Sequence, residues 1–514
     1  MRQKETKVLP ADVNPAQWKA ITHQGKHLLI IAGPGTGKTH TLTYRIARVA
    51  SELPEDKKAL AITFTNKAAQ EMRERLKTRL TSEDPRVDVG TFHSLCLRWL
   101  RQFINQTALP EDFVVASVEQ IEALAKSIWP DKRNRDRKTL LEKISQRKSS
   151  LSVKDLPEWT LYDQELRNRK WLDFDDLLTE TLKLLRSNAK VLAAIHKTYP
   201  YIFVDEYQDI NEIQHAFLKA IVGSLGSITA IGDPNQSIYG FRGSDVRFFE
   251  RFTADFPGAT TLTLSENYRS AQNLLSACGQ VIGKSAHQKV SPLVAKIYTQ
   301  GRLTIHQALT EKAEAEYVVH QIERMVGGTS MFSRDSGRIT GESGKEYGFA
   351  DIAVLYRLNH QGLALKEALE RSGIPYCIVG VAAGKSSDEI CPPRGGDIAF
   401  EAEKVTLLTL HAAKGLEFPV VFIVGCEKSL LPLDLEHMTG DKEEERRLLY
   451  VGMTRAKERL YLLSAKRRRL YGKTYENEPS PFLADIKEEL KAYENQVAAL
   501  TRRKRRKKDQ LTLF

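Results

Sequence analysis

The stretch that decides the fold is HLLIIAGPGTGKT, which runs from His27 to Thr39. Its apolar first half predicts a buried strand, and the glycine-rich segment after it opens a helical pattern. Backbone N–H groups converge on phosphate oxygens at such a strand-to-helix turn. We therefore predict a phosphate-binding loop, in which Lys38 reaches the β- and γ-phosphates and the Thr39 hydroxyl binds Mg²⁺. The loop residues predicted to hold the nucleotide are Ala32, Gly33, Pro34, Gly35, Thr36, Gly37, Lys38 and Thr39.

A second segment, YIFVDE, ends in the carboxylates Asp205 and Glu206. Aliphatic residues precede both acids, which favours the end of a buried strand over an exposed acidic pair. We predict that Asp205 is a ligand of Mg²⁺ and that Glu206 is the catalytic base that orients or deprotonates the attacking water. The two segments together predict a nucleoside triphosphatase, and they leave kinases, GTPases and motor ATPases open.

Similar apolar runs recur between helical stretches along the chain. They are HLLIIAG, ALAITFT, RVDVGT, YIFVDE, SITAIGD, TLTLSE, DIAVLYR, KVTLLTLH, PVVFIVG and RLYLLSA. Their alternation with helices predicts parallel α/β sheets, and there are enough of them for two. Residues 104–199 are mostly helical and charged in pattern, so we expect a helical insertion in the first core. The Gly- and Ser-rich stretch 327–348 and the segment after Gly380 are expected to be loops.

Composition narrows the class of protein. The 514 residues, of which 41% are hydrophobic, suit about three domains with large cores. The five cysteines are scattered, so we expect neither a zinc or iron–sulfur site nor a disulfide framework. The N-terminus has no apolar targeting core and no run is long enough to span a membrane, which favours a cytoplasmic protein. A net charge of +12 suits a polyanionic partner.

Further strings occur in one fixed order. They are LPADVNPAQ from Leu9, TFTNKAAQEM from Thr63, GTFHS from Gly90, VDEYQD from Val204, GDPNQSIYGFRG from Gly232, SENYRS from Ser265, LTLHAAKGLEFP from Leu408 and LLYVGMTRAKERL from Leu448. These strings, and the order in which they occur, resemble the motifs of the UvrD/Rep family of superfamily 1 helicases. The resemblance implies an α/β fold with two RecA-like P-loop cores and an ATP-dependent 3′→5′ DNA helicase or single-strand translocase. Its expected setting is DNA repair, replication or recombination at the nucleoid.

The resemblance also implies roles around the nucleotide. Gln17 would pair with the adenine edge, and Tyr268 would stack on the ring. His40 occupies a position where relatives often have Arg against the other face of the base. Gln236 would sense the γ-phosphate.

Other implied roles belong to the second core and to DNA. Arg269 and Arg455 would act as arginine fingers on the γ-phosphate. Glu417 would contact the ribose or help to couple the nucleotide to DNA. Aromatic stacking with polar backbone contacts would hold single-stranded DNA and single/double-strand junctions without sequence preference. The matching positions for DNA are Phe64, His93, Tyr239, Phe241, Arg242 and His411.

The carboxylates of LDFDDLL, residues 172–178, could suggest a nuclease metal site. We favour a helix packed on the first core, because the apolar spacing suits one. A helicase–nuclease subunit would also need a carboxylate cluster after Arg455, and the sequence shows none in a convincing setting. A DNA- or clamp-binding adaptor with a vestigial ATPase would need a damaged catalytic residue, and none is damaged.

Two features depart from the family. Only 24 residues separate Gly380 from Val405, where full-length relatives insert a 2B subdomain. This leaves open whether the motor unwinds duplexes or mainly translocates and strips proteins from DNA. The expected domains are 1–103 and 200–262 (first core), 104–199 (helical insertion), 263–380 and 405–490 (second core), 381–404 (2B remnant) and 491–514 (basic tail).

The tail ends in QLTLF, which resembles the pentapeptide that bacterial proteins insert into the sliding clamp. The residues expected to bind the clamp are Gln510, Leu511, Leu513 and Phe514. Leu513 and Phe514 would be apolar anchors, and Gln510 would hydrogen-bond at the rim of the pocket.

Overall fold

The computed structural model describes residues 9–80, 84–151, 157–285, 292–298, 300–327, 347–379, 403–436 and 438–493. The chain divides into two compact units. The first contains Met1–Gly33 and Gly37–Leu264, and the second contains Pro34–Thr36 and Ser265–Phe514. The expectations for the loop 327–348, the segment after Gly380 and the C-terminal pentapeptide concern residues that lie wholly or largely outside the described ranges.

Strands and helices alternate through the first unit. Its described strands are β1 (His27–Ala32), β2 (Ala59–Thr63), β3 (Val87–Thr91), β4 (Val114–Val115), β5 (Trp171–Leu172), β6 (Tyr201–Val204), β7 (Ser227–Gly232) and β8 (Thr260–Leu264). Its described helices are α1 (Pro15–Ile21), α2 (Lys38–Glu52), α3 (Asn66–Lys77), α4 (Phe92–Gln102), α5 (Val118–Ile128), α6 (Asn134–Lys148), α7 (Pro157–Asn168), α8 (Phe174–Ser187), α9 (Ala189–Thr198), α10 (Glu212–Val222), α11 (Arg247–Glu250) and α12 (Phe252–Asp255).

Six strands of the first unit form one parallel sheet in the order β3-β2-β6-β7-β1-β8. The central strands are continuous apolar runs because helices cover both faces of the sheet. In this order β6, β7 and β1 are neighbours that point the same way, so their carboxyl ends meet at one edge. That edge carries the phosphate-binding loop and the two acids predicted from the sequence.

The predicted helical insertion is present. Helices α5, α6 and α7 pack around a small apolar core of their own, which includes Leu124, Ile144 and Leu166. Helix α8 begins with a reciprocal cap between Asp173 and Asp176, in which each backbone N–H is bonded to the other's carboxylate. Helices α8 and α9 pack on the main core of the first unit.

The second unit repeats the α/β pattern. Its described strands are β9 (Glu266–Asn267), β10 (Val294–Ala295), β11 (Arg302–Thr310), β12 (Ile352–Tyr356), β13 (Tyr376–Ile378), β14 (Val405–Thr409), β15 (Phe418–Ile423), β16 (Asp434–Leu435), β17 (Met438–Thr439), β18 (Ala456–Leu470), β19 (Lys473–Glu476) and β20 (Ala492–Tyr493). Its described helices are α13 (Gln272–Ile282), α14 (Glu311–Met325), α15 (Gly362–Arg371) and α16 (Lys442–Met453).

The main sheet of the second unit has the order β13-β14-β12-β15-β18-β11-β20, and β19 pairs antiparallel with β18. The other ladders of this sheet are parallel. All ten apolar runs singled out in the sequence are strands, which confirms the prediction of two parallel α/β sheets.

Three cysteines of the described ranges, Cys96, Cys278 and Cys426, are free and buried, and Cys377 is disulfide-bonded. A single bonded cysteine is not the disulfide framework that the sequence argued against. Among the described helices, none is both long and apolar enough to cross a membrane.

Candidate functional site

The segment predicted to bind phosphate forms the turn between β1 and α2. Gly37 caps α2 with φ 80°, and Gly35 has φ 68°, so both occupy the left-handed region that glycine tolerates. The Lys38 ammonium donates to the Ala32 carbonyl at 3.3 Å and so folds back over the loop. A helix of 15 residues thus presents its positive N-terminal end beside a lysine, which suits a phosphate chain.

Gln17 lies against this loop. The side chain is buried, and a Cβ placed on Gly37 would lie 2.7 Å from the Gln17 Nε2 atom. Gln17 also forms the capping box of α1: its Oε1 accepts from the Asn14 N–H at 3.0 Å, and its own N–H donates to Asn14 Oδ1 at 2.8 Å. The Gln17 amide is therefore fixed beside α2, the helix that begins at Lys38. Thr39 and His40 are the next two residues of that helix.

The two acids follow β6. Asp205 is buried, and its carboxylate accepts from the Glu206 N–H at 3.0 Å. Burial first, and then the neighbouring Glu206, raise the pKa of Asp205 to about 7, although Lys38 acts in the opposite direction. Glu206 has φ 50°, a conformation that costs a non-glycine residue free energy and is typical of functional sites.

A third buried acid supports Gln236. Asp233 Oδ2 accepts from Gln236 Nε2 at 2.8 Å, and Asp233 Oδ1 accepts from the Asn235 N–H at 3.0 Å. Burial raises the pKa of Asp233, and Lys38 partly offsets that rise. Lys38, Asp205, Glu206 and Gln236 thus share one edge of the first sheet.

The remaining nucleotide residues predicted from the resemblance lie in the second unit. Arg269 Nε donates to Glu417 Oε2 at 2.6 Å, and Lys457 Nζ lies 2.8 Å from Glu417 Oε1. Burial raises the pKa of Glu417, but the cations Arg269 and Lys457 hold it below its ordinary value. Tyr268 is partly exposed, and its hydroxyl donates to Glu266 at 2.7 Å.

Arg455 is almost completely buried in the second unit. Its guanidinium donates to the carbonyls of Val451 at 2.9 Å and Leu416 at 3.1 Å and to the Thr454 hydroxyl at 3.0 Å. These hydrogen bonds hold the Arg455 side chain between α16, which contains Val451, and the residues just before β15, which include Leu416. The sequence did not indicate that Arg455 is buried. His411 follows β14 and is partly buried.

A cavity of about 740 Å³ in the first unit collects the aromatic residues predicted to bind DNA. Its lining includes Phe64, His93, Tyr239, Phe241 and Arg242. The Arg242 guanidinium lies 5.7 Å from the Tyr239 ring centre and 5.5 Å from that of Phe241. The Phe241 ring is half exposed. Burial lowers the pKa of His93 below its ordinary value.

Phe174 is a cavity residue that the sequence reasoning missed. It is the first residue of α8, its side chain is 60% exposed, and its ring centre lies 5.2 Å from that of His93. The spacing of LDFDDLL gave no signal for it, because Leu177 and Leu178, three and four residues later, lie on the same face of α8 and are buried.

Two carboxylates of LDFDDLL, together with Asp163 of α7, surround a lysine. Lys148 Nζ lies 2.7 Å from Asp163, 2.8 Å from Asp173 and 2.8 Å from Asp176, and the side chain is almost wholly buried. Although burial lowers the pKa of Lys148, the three carboxylates hold it above its ordinary value. We call these four residues the Lys148 cluster. An ammonium occupies the place that a metal ion would need in the nuclease interpretation.

Comparison with known proteins agrees with this geometry. Residues 13–257 match the UvrD/REP helicase N-terminal domain, and residues 262–383 and 394–467 match the UvrD-like helicase C-terminal domain. The ATP-dependent DNA helicase PcrA of Leuconostoc citreum is 30% identical over 672 aligned positions, which cover 96% of this chain and 87% of the relative.

Two further relatives have the same name. The Staphylococcus epidermidis protein is 28% identical across 94% of this chain and 87% of its own length. The Staphylococcus aureus protein is 28% identical across 93% of this chain and 86% of its own length. Together with the phosphate-binding loop, the buried acids and the aromatic cavity, these matches show that the chain belongs to the UvrD/REP helicase family and is an ATP-dependent DNA helicase.

Proposed function

We propose that the protein moves 3′→5′ along single-stranded DNA and separates or clears the strand ahead of it during repair, replication or recombination. The observation that carries this proposal is the aromatic cavity of the first unit. Flat rings and an arginine hold bases of any sequence by stacking, which is what a motor that steps along DNA requires. Such a motor would work at the nucleoid, on single strands and on single/double-strand junctions.

In the proposed nucleotide site, each residue has one task. Lys38 binds the β- and γ-phosphates, Glu206 orients or deprotonates the attacking water, and Gln236 senses the γ-phosphate. Gln17 reads the adenine edge, with Tyr268 and His40 against the ring. From the second unit, Arg269 and Arg455 stabilise charge on the γ-phosphate, and Glu417 contacts the ribose or couples the nucleotide to DNA.

The residues fit a divalent cation beside the phosphates. Asp205 is buried and its pKa is raised, so a bound cation would favour the ionised carboxylate. Thr39 and Asp205 would hold Mg²⁺, which when bound neutralises charge that develops on the phosphates. The raised pKa of Asp205 is what a carboxylate built to receive a cation would show.

For DNA we propose that Phe64, Tyr239, Phe241 and Phe174 stack on bases. His93 and Arg242 would complete the pocket, and the guanidinium of Arg242 would lie near the phosphate backbone. His411 would add a contact from the second unit.

We infer from the sequence that the 2B subdomain is reduced to residues 381–404 between the two parts of the second core, 263–380 and 405–490. Two observations support this: the family match is interrupted between 383 and 394, and the Leuconostoc alignment extends over 672 positions although this chain has only 514 residues. The remaining proposed boundaries are 1–103 and 200–262 for the first core, 104–199 for the insertion and 491–514 for the tail.

The tail proposal rests on QLTLF alone. Gln510, Leu511, Leu513 and Phe514 would bind a bacterial sliding clamp and so raise the concentration of the motor at clamp-loaded DNA. Deleting 510–514 should remove binding to the purified clamp and leave DNA-stimulated ATP turnover unchanged. Retained clamp affinity would refute this proposal.

The whole function is tested by steady-state ATP hydrolysis with and without oligo(dT), together with displacement of 3′-tailed and 5′-tailed duplexes. We expect strong stimulation by DNA and displacement of the 3′-tailed substrate only. Stimulation without displacement would indicate a translocase that mainly strips proteins from DNA. Displacement of the 5′-tailed duplex alone would show that the protein moves in the opposite direction. Lack of stimulation by DNA would refute the proposal that it is a DNA-driven motor.

A further inference from the structure

Gln208 lies two residues after Glu206 and is completely buried, yet none of the roles above uses it. Its side-chain amide touches two different segments of the first unit. One is the turn after β6, which carries Glu206, and the other is the end of β7, which leads to Asp233 and Gln236.

The orientation of this amide follows from its partners. The Asp233 backbone N–H, which can only donate, points at the Gln208 side-chain oxygen at 3.0 Å. The amide nitrogen must therefore face the other way, where it donates to Glu206 Oε2 and lies 3.4 Å from Asp209 Oδ2. One planar group thus ties the proposed catalytic base to the backbone at the end of β7.

Gly232, the last residue of β7, makes room for this contact. A Cβ at that position would lie 2.2 Å from the Gln208 side-chain oxygen, far inside van der Waals distance. The backbone of Gln208 is fixed as well, because its carbonyl accepts from the Ser237 hydroxyl at 3.1 Å. The close approach of β7 to this amide is therefore built into the strand itself.

The same segments border the aromatic cavity. Asp209, the residue after Gln208, lines the cavity, and so does Tyr239, two residues after Ser237. A base that enters the cavity would contact this segment through Asp209 and Tyr239, and the Gln208 amide nitrogen, which lies near Asp209, donates to Glu206. Glu206 also has a left-handed backbone conformation, which the surrounding contacts must maintain.

We propose that Gln208 is a positioning residue that couples DNA in the aromatic cavity to the orientation of Glu206. This inference rests on the proposed function, in which Glu206 is the catalytic base. The amide holds the carboxylate where it can engage the attacking water. Contacts of DNA with Asp209 and Tyr239 adjust that amide, so that turnover rises when the cavity is occupied.

The test compares Gln208→Glu with the natural chain by steady-state ATP hydrolysis at saturating oligo(dT). The introduced carboxylate still accepts from Asp233 but cannot donate to Glu206. At pH 8 we expect DNA-stimulated kcat to fall at least about tenfold. The KM for ATP and the oligo(dT) Kd, measured by fluorescence anisotropy, should change less than about threefold.

The pH profile separates positioning from a loss of structure. The introduced carboxyl is buried beside the carboxylates of Glu206 and Asp209, so its pKa should be raised. When protonated at pH 6, it donates to Glu206 as the amide does. The deficit relative to the natural chain at the same pH should therefore shrink. A deficit of the same size at both pH values, or full turnover at pH 8, would overturn the proposal.

Gly232→Ala is a second variant that leaves Gln208 intact but displaces its amide. It should lower DNA-stimulated kcat without recovery at pH 6, because no carboxyl is introduced. Wild-type stimulation in this variant would also overturn the coupling. Glu206→Gln distinguishes the two levels of inference: if it retains ATP turnover, the proposed catalytic base is wrong. If it loses turnover while Gln208→Glu does not, only the coupling fails.

Discussion

The first unit contains two groups of buried acids, each beside a lysine, and they differ in how the acids are paired. In the Lys148 cluster the ammonium lies within 2.8 Å of three carboxylates, so each acid is in direct ion-pair contact with the lysine. Around Lys38 the ammonium donates to the Ala32 carbonyl, and it acts on Asp205 and Asp233 through space. An ion cluster whose acids all contact one lysine stabilises the fold, whereas the acids near Lys38 belong to the proposed nucleotide site.

The largest effect is expected when Lys38 is removed, and it concerns the rate of ATP hydrolysis. Lys38→Ala should lower ATP turnover at least about a hundredfold, because the ammonium stabilises charge on the phosphates. Steady-state hydrolysis with oligo(dT) measures this. Lys143→Met, which removes an exposed lysine of α6, is the matched control and should have normal turnover. Turnover close to normal in Lys38→Ala would refute the site assignment.

Removal of Lys148 should instead lower the stability of the first unit. Lys148→Met removes the ammonium from the buried carboxylates of Asp173 and Asp176 and from the partly buried Asp163, which should cost about 3–5 kcal/mol of the free energy of unfolding of the first unit. Urea unfolding measures the loss, and Lys143→Met again serves as the control. If Lys148→Met were as stable as that control, the cluster would not be structural.

A smaller effect concerns pH. The pKa of Asp205 is about 7 in the folded chain against an ordinary value of 3.8, so the folded state keeps a proton that the unfolded state has released. Its stabilising contribution is therefore present below about pH 4 and is lost as pH rises through about 7. In the absence of nucleotide and Mg²⁺, Asp205→Asn should be less sensitive to pH between 4 and 8 than the natural chain. Thermal unfolding at several pH values measures this. If the stability of Asp205→Asn depended on pH as strongly as that of the natural chain, burial would not have raised the pKa of Asp205.

The smallest expected effect connects the Lys148 cluster to DNA. Asp173 and Asp176 anchor the start of α8, where Phe174 enters the aromatic cavity. Phe174→Ala should weaken oligo(dT) binding by about 1–3 kcal/mol, the usual contribution of one stacked base. Fluorescence anisotropy measures it, and Leu161→Ala, an exposed apolar residue of α7, is the control. Equal affinities for the two variants would remove Phe174 from the DNA site.

The parts of the molecule that sequence predicted well depend on local pattern. The ten strands were recognisable because both faces of each sheet are covered, so the strands are continuous apolar runs. Strand β11, RLTIHQALT, was missed because the buried polar residues Thr304 and His306 interrupt its pattern. The turn between β1 and α2 was recognisable because its glycines and lysine are adjacent in the chain.

What could not be predicted depends on contacts between distant segments. The burial of Arg455 is set by carbonyls of Leu416 and Val451, and the partners of Lys148 come from two helices that follow it. The Gln208 contact needs Gly232, 24 positions later in the chain. Such pairs leave no periodic signal in a single sequence.

Arg45 links the two helices that carry Gln17 and Lys38. It is a buried residue of α2, and its guanidinium holds the carbonyls of Ala20, Ile21 and His23 at the end of α1. A helix as short as α1 is not stable alone, so Arg45 fastens it to α2. The proposed base reader Gln17 and the phosphate loop are thus mounted on one rigid support. Loss of the Arg45 guanidinium would therefore loosen the attachment of α1, and with it the position of Gln17 relative to α2.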